Sequence, residues 1–170
     1  MKKLFPFFLV AIFGIFSVSC VSDDDGPVDY VDYDTYSRVI DLPNVNFDNI
    51  NGYFQIERTF TDPLYSTDVV LVYMKTGTTT NNATIWQQIP ITYYLSDGNE
   101  VDYNFDFSMY DVVLYASGTF DLTGTSYVTN KTFRIVLVPA DPLKNAPVDY
   151  SDYNAVISYY DLDDSHPTQL

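Results

Sequence analysis

Residues 69–73 read Val69-Val70-Leu71-Val72-Tyr73, and this continuous apolar run decides the fold. A strand with one solvent-exposed face would alternate apolar and polar side chains, so an unbroken apolar run is typical of a strand buried on both faces. Asp62-Pro63 begins a turn before it, and the polar residues 75–82 form a loop after it. We therefore predict a strand at the centre of a sheet.

Segments on either side of this run alternate apolar and polar side chains, which is the two-residue period of half-buried strands. Residues 54–60 and 102–107 show the clearest alternation. The Asp97-Gly98 pair ahead of the second segment predicts a tight hairpin, because glycine supplies the positive φ that such turns require. Arg58 falls on the apolar side of the first segment. We interpret it as an edge-facing arginine that pairs with an aspartate, with a ligand-binding guanidinium as the alternative.

Further strand-like segments follow one another at spacings of roughly ten residues, separated by turn residues. They are residues 36–47 interrupted at Pro43, residues 84–95 with a bend at Pro90, residues 110–116, one short strand within residues 117–130, and residues 132–138. This pattern predicts an all-β fold, an antiparallel β-sandwich of immunoglobulin-like type, with an up-and-down barrel as the alternative. Pro43 favours an edge strand or a bulge.

The C-terminal part has a helical pattern instead. Apolar residues recur at three- and four-residue steps from Tyr153 to Tyr160, and Ser151 or Asp152 can serve as the N-cap. We predict a helix from Asp152 to Leu162 that packs on the sandwich. The predicted domain spans residues 36–162 and is followed by a flexible tail, residues 163–170.

The first residues form a leader. Lys2 and Lys3 precede an apolar run from Leu4 to Val18, which is 15 residues long and too short to span a bilayer. The run therefore predicts a signal peptide, residues 1–19, that is removed. Cys20, the only cysteine of the chain, follows at the junction.

This junction resembles the lipobox of bacterial lipoproteins. The resemblance implies that the Cys20 thiol is diacylated and that Cys20 becomes the first residue of the mature chain. Ser17 stands where the family commonly has leucine, and ordinary secretory cleavage that leaves a free thiol is the alternative. An unpaired exposed thiol is unfavourable in an oxidising compartment, which supports the lipoprotein interpretation.

Ser22-Asp23-Asp24-Asp25, directly after the cysteine, resembles the export signal of Bacteroidota-type surface lipoproteins. The chain is also similar to small flavobacterial lipoproteins that combine such a signal with one β-domain. The resemblance implies an anchor in the outer leaflet of the outer membrane, with residues 20–35 as an acidic tether, and it implies no activity. The alternative for the aspartates is a solvated spacer.

The charge of the chain excludes some partners. Without the leader, six basic residues face 23 acidic ones, a net charge of −17. We expect no nucleic-acid partner, because binding there depends on phosphate neutralisation by Lys and Arg. An envelope protein or a glycan is the expected kind of partner.

The residues needed for most enzyme chemistry are missing. His166 is the only histidine, so the chain lacks the parts of a Ser-His-Asp or Cys-His site and of a His or Cys zinc cluster. A glycosidase would need two carboxylates, for which Glu57, Glu100, Asp102 and Asp106 are candidates. The acidic clusters, including Asp161, Asp163 and Asp164, are interpreted as solvated surface rather than calcium ligands. We predict no catalytic residue, no cofactor and no metal.

The remaining candidate is an aromatic platform. Trp86, the only tryptophan, lies in an alternating strand, where a core position is the favoured interpretation. The alternative is a surface on which a sugar ring stacks. The sequence thus predicts a lipid-anchored extracytoplasmic β-domain that acts as a binding or structural module of the cell envelope. A surface carbohydrate-binding or carbohydrate-active protein is the alternative.

Overall fold

The structure, a computed structural model, describes residues 37–139 and 147–170. Strands dominate these residues, and one short helix follows them. In chain order the elements are β1 (Arg38–Val45), β2 (Asp48–Ile50), β3 (Tyr53–Thr59), β4 (Val69–Thr78), β5 (Thr84–Gln88), β6 (Ile91–Tyr94), β7 (Glu100–Phe107), β8 (Asp111–Gly118), β9 (Lys131–Val138), α1 (Tyr153–Tyr160) and β10 (Thr168–Gln169).

The strands form two sheets. Sheet A has the order β10-β1-β9-β4-β5, and sheet B has the order β2-β3-β8-β7-β6. Every pairing is antiparallel except that of β10 with β1. Side chains from both sheets, such as Val72 and Ile135 from sheet A and Ile56 and Leu114 from sheet B, share one buried core.

Strand β4 contains the apolar run at residues 69–73 and lies inside sheet A between β9 and β5. Its residues 70–74 are all buried. Val70 and Val72 face the core between the sheets, whereas Leu71 and Tyr73 belong to a second cluster on the outer face of sheet A. The prediction of a strand buried on both faces is confirmed.

The strand order distinguishes a sandwich from a barrel, but it does not confirm the immunoglobulin-like type. Two separate sheets that share a core form a sandwich arrangement and not a barrel. In an immunoglobulin constant domain the first two strands lie side by side. Here β1 pairs with β9, and β3 pairs with β8. The immunoglobulin-like arrangement is therefore not confirmed.

Two prolines mark changes of direction. The predicted strand at residues 84–95 is divided at the cis Ile89-Pro90 bond, because β5 belongs to sheet A and β6 to sheet B. The chain therefore crosses between the sheets where a bend was predicted. Pro43 lies where the register of β1 shifts between Leu42 and Val45, next to Asn44 with its left-handed backbone (φ 54°), which confirms the predicted bulge.

The hairpin between β6 and β7 is the one predicted from Asp97-Gly98. Leu95 N donates to the Asn99 carbonyl oxygen at 2.8 Å, and Gly98 has a φ of 85°. By contrast, the short strand predicted within residues 117–130 is wrong. After β8 ends at Gly118, this segment satisfies its backbone locally through turns, for example by the Thr125 hydroxyl on the Leu122 carbonyl oxygen at 2.7 Å.

Helix α1 confirms the predicted helix, with ends one or two residues inside the predicted ones. The Asp152 side chain is the N-cap and accepts from Asn154 N and Ala155 N, and Asp161 ends the helix with a left-handed backbone. The buried face of the helix packs on the outer face of sheet A, where Tyr153 and Val156 meet Val39 and Val136. The domain therefore has a third layer over sheet A.

The segment predicted as a flexible tail, residues 163–170, contains a short strand. Thr168 and Gln169 pair with Ile40 and Asp41 as the short parallel strand β10. Asp164, in the connection from α1, contacts Arg134. The strand forms where β1 would otherwise offer an unpaired edge of sheet A.

Candidate functional site

A groove of about 570 Å³ lies where the start of α1 meets the edge of sheet A at β5. We call it the Trp86 groove. Its lining comes from the β4–β5 hairpin, from β9, from the helix start and from the tail: Thr79, Ala83, Thr84, Ile85, Trp86, Arg134, Ser151, Asp152, Tyr153, Asn154 and Asp164. Most of these side chains carry polar groups, and Trp86 and Tyr153 are the two aromatic residues among them.

Trp86 occupies an edge strand, and its side chain is half-buried. One side of its ring packs against the Arg134 guanidinium, whose Cζ lies 4.7 Å from the ring centroid. The ring of Tyr153 is 5.9 Å away, centroid to centroid. Trp86 packs against the apolar cluster on the outer face of sheet A, beneath the helix. The favoured interpretation as a core aromatic therefore holds in part, because the side chain is half-buried and lies outside the core between the sheets.

Arg134 is the buried centre of the site, with 8 % of the residue exposed. Its Nε and Nη2 donate to the two carboxylate oxygens of Asp41 at 2.6 and 2.9 Å. Nη1 donates to the Tyr153 hydroxyl at 2.5 Å and to Asp164 Oδ2 at 3.3 Å. The Tyr153 hydroxyl in turn donates to Asp164 Oδ2 at 2.6 Å. These bonds tie β1, β9, α1 and the tail together beneath Trp86.

The network fixes the protonation states of Arg134 and Tyr153. Burial by itself would lower the pKa of Arg134, but the hydrogen bonds with Asp41 and Tyr153 raise that pKa above its ordinary value. Burial, together with the bond to Asp164, raises the pKa of Tyr153 above its ordinary value. Arg134 is therefore a cation and Tyr153 a neutral hydroxyl over the whole neutral range.

The rim of the groove is acidic. Asp152 uses Oδ1 to cap the helix, which leaves its second carboxylate oxygen free of the cap bonds. Asp164 is half-buried and shares Oδ2 with Arg134 and Tyr153. Among the described residues, Arg134 is the only basic one in the lining, and its charge is matched by Asp41. The groove therefore favours a neutral or cationic ligand over an anionic one.

The carboxylates considered for catalysis lie elsewhere. Asp102 and Asp106 belong to β7 in sheet B, where Asp102 accepts from the Thr92 hydroxyl at 2.5 Å and Asp106 accepts from the Tyr115 hydroxyl at 3.0 Å. Glu57 is two strands from Asp106, because both residues pair with Val113. Glu100 begins β7 and is half-buried. The structure brings none of these four into the Trp86 groove.

Other residues singled out in the sequence have structural contacts. Arg58 is half-buried, and its Nη1 donates to the Glu57 carbonyl oxygen at 2.7 Å, a backbone partner in place of the predicted aspartate. His166 is exposed, with Nδ1 3.6 Å from Asp163 Oδ2. Within residues 37–139 and 147–170, no group of three or more His, Cys, Asp or Glu side chains is placed to hold a metal ion.

The predicted anchor lies outside the described residues. This applies to the lipidation site Cys20, to the export signal Ser22, Asp23, Asp24 and Asp25, and to the whole tether, residues 20–35. In the part of the chain that the structure describes, no helix has the length and apolar composition needed to cross a membrane.

The sequence-based search missed Arg134, Asp41 and Tyr153 as members of a site. A signal was present for Arg134, since it interrupts the apolar run Phe133-Arg134-Ile135-Val136-Leu137-Val138. A charged side chain inside a doubly buried strand must be paired. Its partners are 93, 19 and 30 residues away, so the sequence could not name them.

Fold and site together define the class of the protein only coarsely, as an all-β domain of two facing sheets with a helix over one of them. No family model, no curated protein and no solved structure matches the chain. The chemistry of the groove and the sequence of the leader are therefore the grounds for proposing a function.

Proposed function

We propose that this protein is a lipid-anchored binding module on the outside of the cell envelope, and that the Trp86 groove is its ligand site. The anchor part of the proposal is supported by the leader, by Cys20 at its junction and by the aspartates that follow. Two acyl chains on one cysteine hold a protein stably at a membrane, whereas one chain holds it only marginally. The described domain, with its acidic surface, would then face the medium.

The observation that carries the binding part is the way Trp86 is held. Its ring rests on a guanidinium that four hydrogen bonds fix in place, while the same residue lines an open groove. A binding residue whose orientation is fixed in advance loses little conformational entropy when a ligand arrives. A half-buried tryptophan on such a support is suited to recognition.

The lining favours a neutral carbohydrate as the ligand. Sugar rings present apolar C–H faces, which stack on an aromatic ring, and hydroxyls, which bond to carboxylates, amides and hydroxyls. Trp86 supplies the aromatic surface, while Asp152, Asn154 and Thr84 supply polar groups along the rim. An acidic sugar would be repelled by Asp152 and Asp164. These features favour the carbohydrate-binding alternative over a purely structural module.

Binding is tested with the full-length protein, expressed with its own leader and purified in detergent. Neutral and acidic oligosaccharides are screened on an array, and binders are measured by calorimetry. We expect a neutral oligosaccharide to bind, and Trp86→Ala to weaken binding about tenfold, which corresponds to loss of about 1.4 kcal/mol. Because Trp86→Ala also removes packing from Arg134, Asn154→Ala serves as a second variant on an exposed rim residue.

Tyr94→Ala is the matched control, since Tyr94 is 79 % exposed and belongs to sheet B, away from the groove. It removes an exposed aromatic and is expected to leave binding unchanged. The proposal is wrong if no neutral oligosaccharide binds, or if Trp86→Ala and Asn154→Ala both bind as the parent does.

The anchor is tested separately by intact mass and by protease treatment of whole cells. We expect cleavage before Cys20, a mass increased by acyl chains, and digestion on intact cells. Cys20→Ala should release the protein from the membrane fraction. An unlipidated mature protein would refute the anchor and leave the groove proposal standing.

A further inference from the structure

A second cavity, of about 230 Å³, opens between the two sheets. Sheet A contributes Met74, Lys75 and Thr76 from β4 and Lys131 from β9, and sheet B contributes Tyr93 and Tyr103. Tyr127, from the loop before β9, completes the lining. We call this cavity the Lys131 cleft. It shares no lining residue with the Trp86 groove.

Lys131 is an unusual residue in so acidic a chain. Its side chain is half-buried, yet the ion pairs of the described residues involve Arg38, Arg134 and His166, and none includes Lys131. Its Nζ lies instead 5.7 Å from the ring centroid of Tyr103 and 6.0 Å from that of Tyr127. The ammonium group has thus lost part of its water without gaining a carboxylate from the described residues.

Desolvating an ammonium without an anionic partner is unfavourable, and the burial of Lys131 lowers its pKa accordingly. Contacts with two tyrosine rings offset only part of this cost. A ligand that brings a negative charge to Nζ would supply the missing partner, in a setting where water competes weakly. The cleft therefore selects for an anion, in contrast to the acidic Trp86 groove.

The walls of the cleft are rigid aromatic surfaces. The rings of Tyr93 and Tyr103 meet edge to face at 5.9 Å, and the Tyr103 hydroxyl donates to the Tyr127 carbonyl oxygen at 2.7 Å. Burial raises the pKa of Tyr103 above its ordinary value, so this wall is neutral. The volume lies below the range that holds drug-sized ligands, which leaves room for a single ring.

We propose that the Lys131 cleft is a binding site for a small organic carboxylate, consisting of one ring that carries one carboxylate group. The carboxylate bonds to Lys131 Nζ, and the ring lies against the tyrosines. Both an aromatic acid and an acidic monosaccharide have this chemistry. A phosphate group is a poorer fit, because the strongly acidic chain as a whole repels its larger negative charge more than that of a carboxylate.

The probes are benzoate for the aromatic acid and glucuronate for the acidic sugar, each titrated into the full-length protein and followed by NMR. Benzamide and methyl glucoside are the uncharged matched probes. We expect at least one of the two carboxylates to bind with a millimolar or tighter Kd, and its uncharged counterpart to bind at least tenfold more weakly. Binding of benzoate would indicate an aromatic acid as the ligand, and binding of glucuronate would indicate an acidic sugar.

Lys131→Gln should weaken binding of that acid at least tenfold, while Lys131→Arg, which keeps the charge, should retain most of it. Arg38→Gln is the control, since it removes a surface cation that pairs with Asp62 at 3.9 Å. Should Lys131→Gln fail to fold, protection of the parent protein's Lys131 from acetylation, read by mass spectrometry with and without the acid, tests the same contact. Absence of binding by both acids, equal binding by the uncharged probes, or an unprotected Lys131 would overturn the proposal.

Discussion

Replacing Asp41 by asparagine removes the charge partner of the buried Arg134 guanidinium. The side chains of Arg134 and Asp41 are only 10 % and 19 % exposed, so the pair is largely shielded from water. Removing one partner of a fully buried pair costs about 3–5 kcal/mol, because the other charge is left uncompensated. Asparagine keeps one acceptor oxygen, and Asp164 Oδ2 remains 3.3 Å from Nη1. We therefore expect Asp41→Asn to lower the free energy of unfolding by about 2–3 kcal/mol.

The assay is urea unfolding of the full-length protein at neutral pH, followed by far-UV circular dichroism and by the fluorescence of Trp86. Trp86 is the only tryptophan and lies against Arg134, so its signal reports on the network itself. Asp62→Asn is the control, since Asp62 pairs with Arg38 at 3.9 Å with 75 % of its side chain exposed. That change should cost less than about 0.5 kcal/mol, the value of a surface pair.

A double-mutant cycle measures the interaction energy between Asp41 and Arg134 apart from their other contacts. Arg134→Met replaces the guanidinium by an apolar side chain and leaves the Asp41 carboxylate, which is 19 % exposed, without its charge partner. We expect the double variant Asp41→Asn/Arg134→Met to be more stable than Asp41→Asn alone, because the uncompensated charge is gone. A loss below about 0.5 kcal/mol for Asp41→Asn, or a coupling energy near zero, would refute the inference that Asp41 compensates Arg134.

Three further changes test other parts of the fold. Gly98→Ala should lower the free energy of unfolding in urea by about 1 kcal/mol, because the φ of Gly98 is 85°. Gly77→Ala is the control and should cost less, since an added Cβ would make only ordinary contact with Ile85. Equal losses for the two variants would contradict the reasoning. Asp152→Ala removes the helix N-cap and should cost about 1 kcal/mol with lower helical circular dichroism; an unchanged midpoint would contradict the capping role. Burial raises the pKa of Tyr103 above its ordinary value, so the stability it contributes is complete below pH 10 and is lost as pH rises beyond that value. The phenolate signal of Tyr103, read by NMR separately from those of the other fifteen tyrosines, should therefore appear only together with unfolding. A Tyr103 that titrates near pH 10 in the folded protein would show that burial does not protect it.

Local patterns predicted the elements whose formation depends on neighbouring residues. The apolar run at residues 69–73, the Asp97-Gly98 hairpin and the helix after Asp152 are each specified within about ten residues of sequence, and each is confirmed. The division of β5 from β6 at Pro90 was visible as a bend only. Whether the chain stays in one sheet or crosses to the other depends on partners that lie far away in sequence.

The features that the local sequence patterns did not predict depend on contacts between distant segments. Strand β10 is two residues long, too short to give an alternating pattern, and its order comes from pairing with β1, more than a hundred residues earlier. Trp86 has the alternation expected of a strand, but alternation shows only that two faces differ. It cannot show which face meets the other sheet and which meets the helix, because a helix layer makes both faces of sheet A apolar.

The outer face of sheet A gives a reason to connect Arg134 with the proposed binding site. The neighbours of Arg134 beneath the helix are apolar, among them Val39, Leu71 and Val136. An apolar side chain at position 134 would pack there too. Replacing a buried ion pair by apolar residues is often neutral or stabilising, so stability alone does not account for a charge at this position. What the charge does provide is a fixed geometry, because Asp41, Tyr153 and Asp164 from three separate segments converge on one planar group. Trp86 rests on that group and on the outer apolar cluster, so its position beside the groove is tied to the network and not to the core between the sheets.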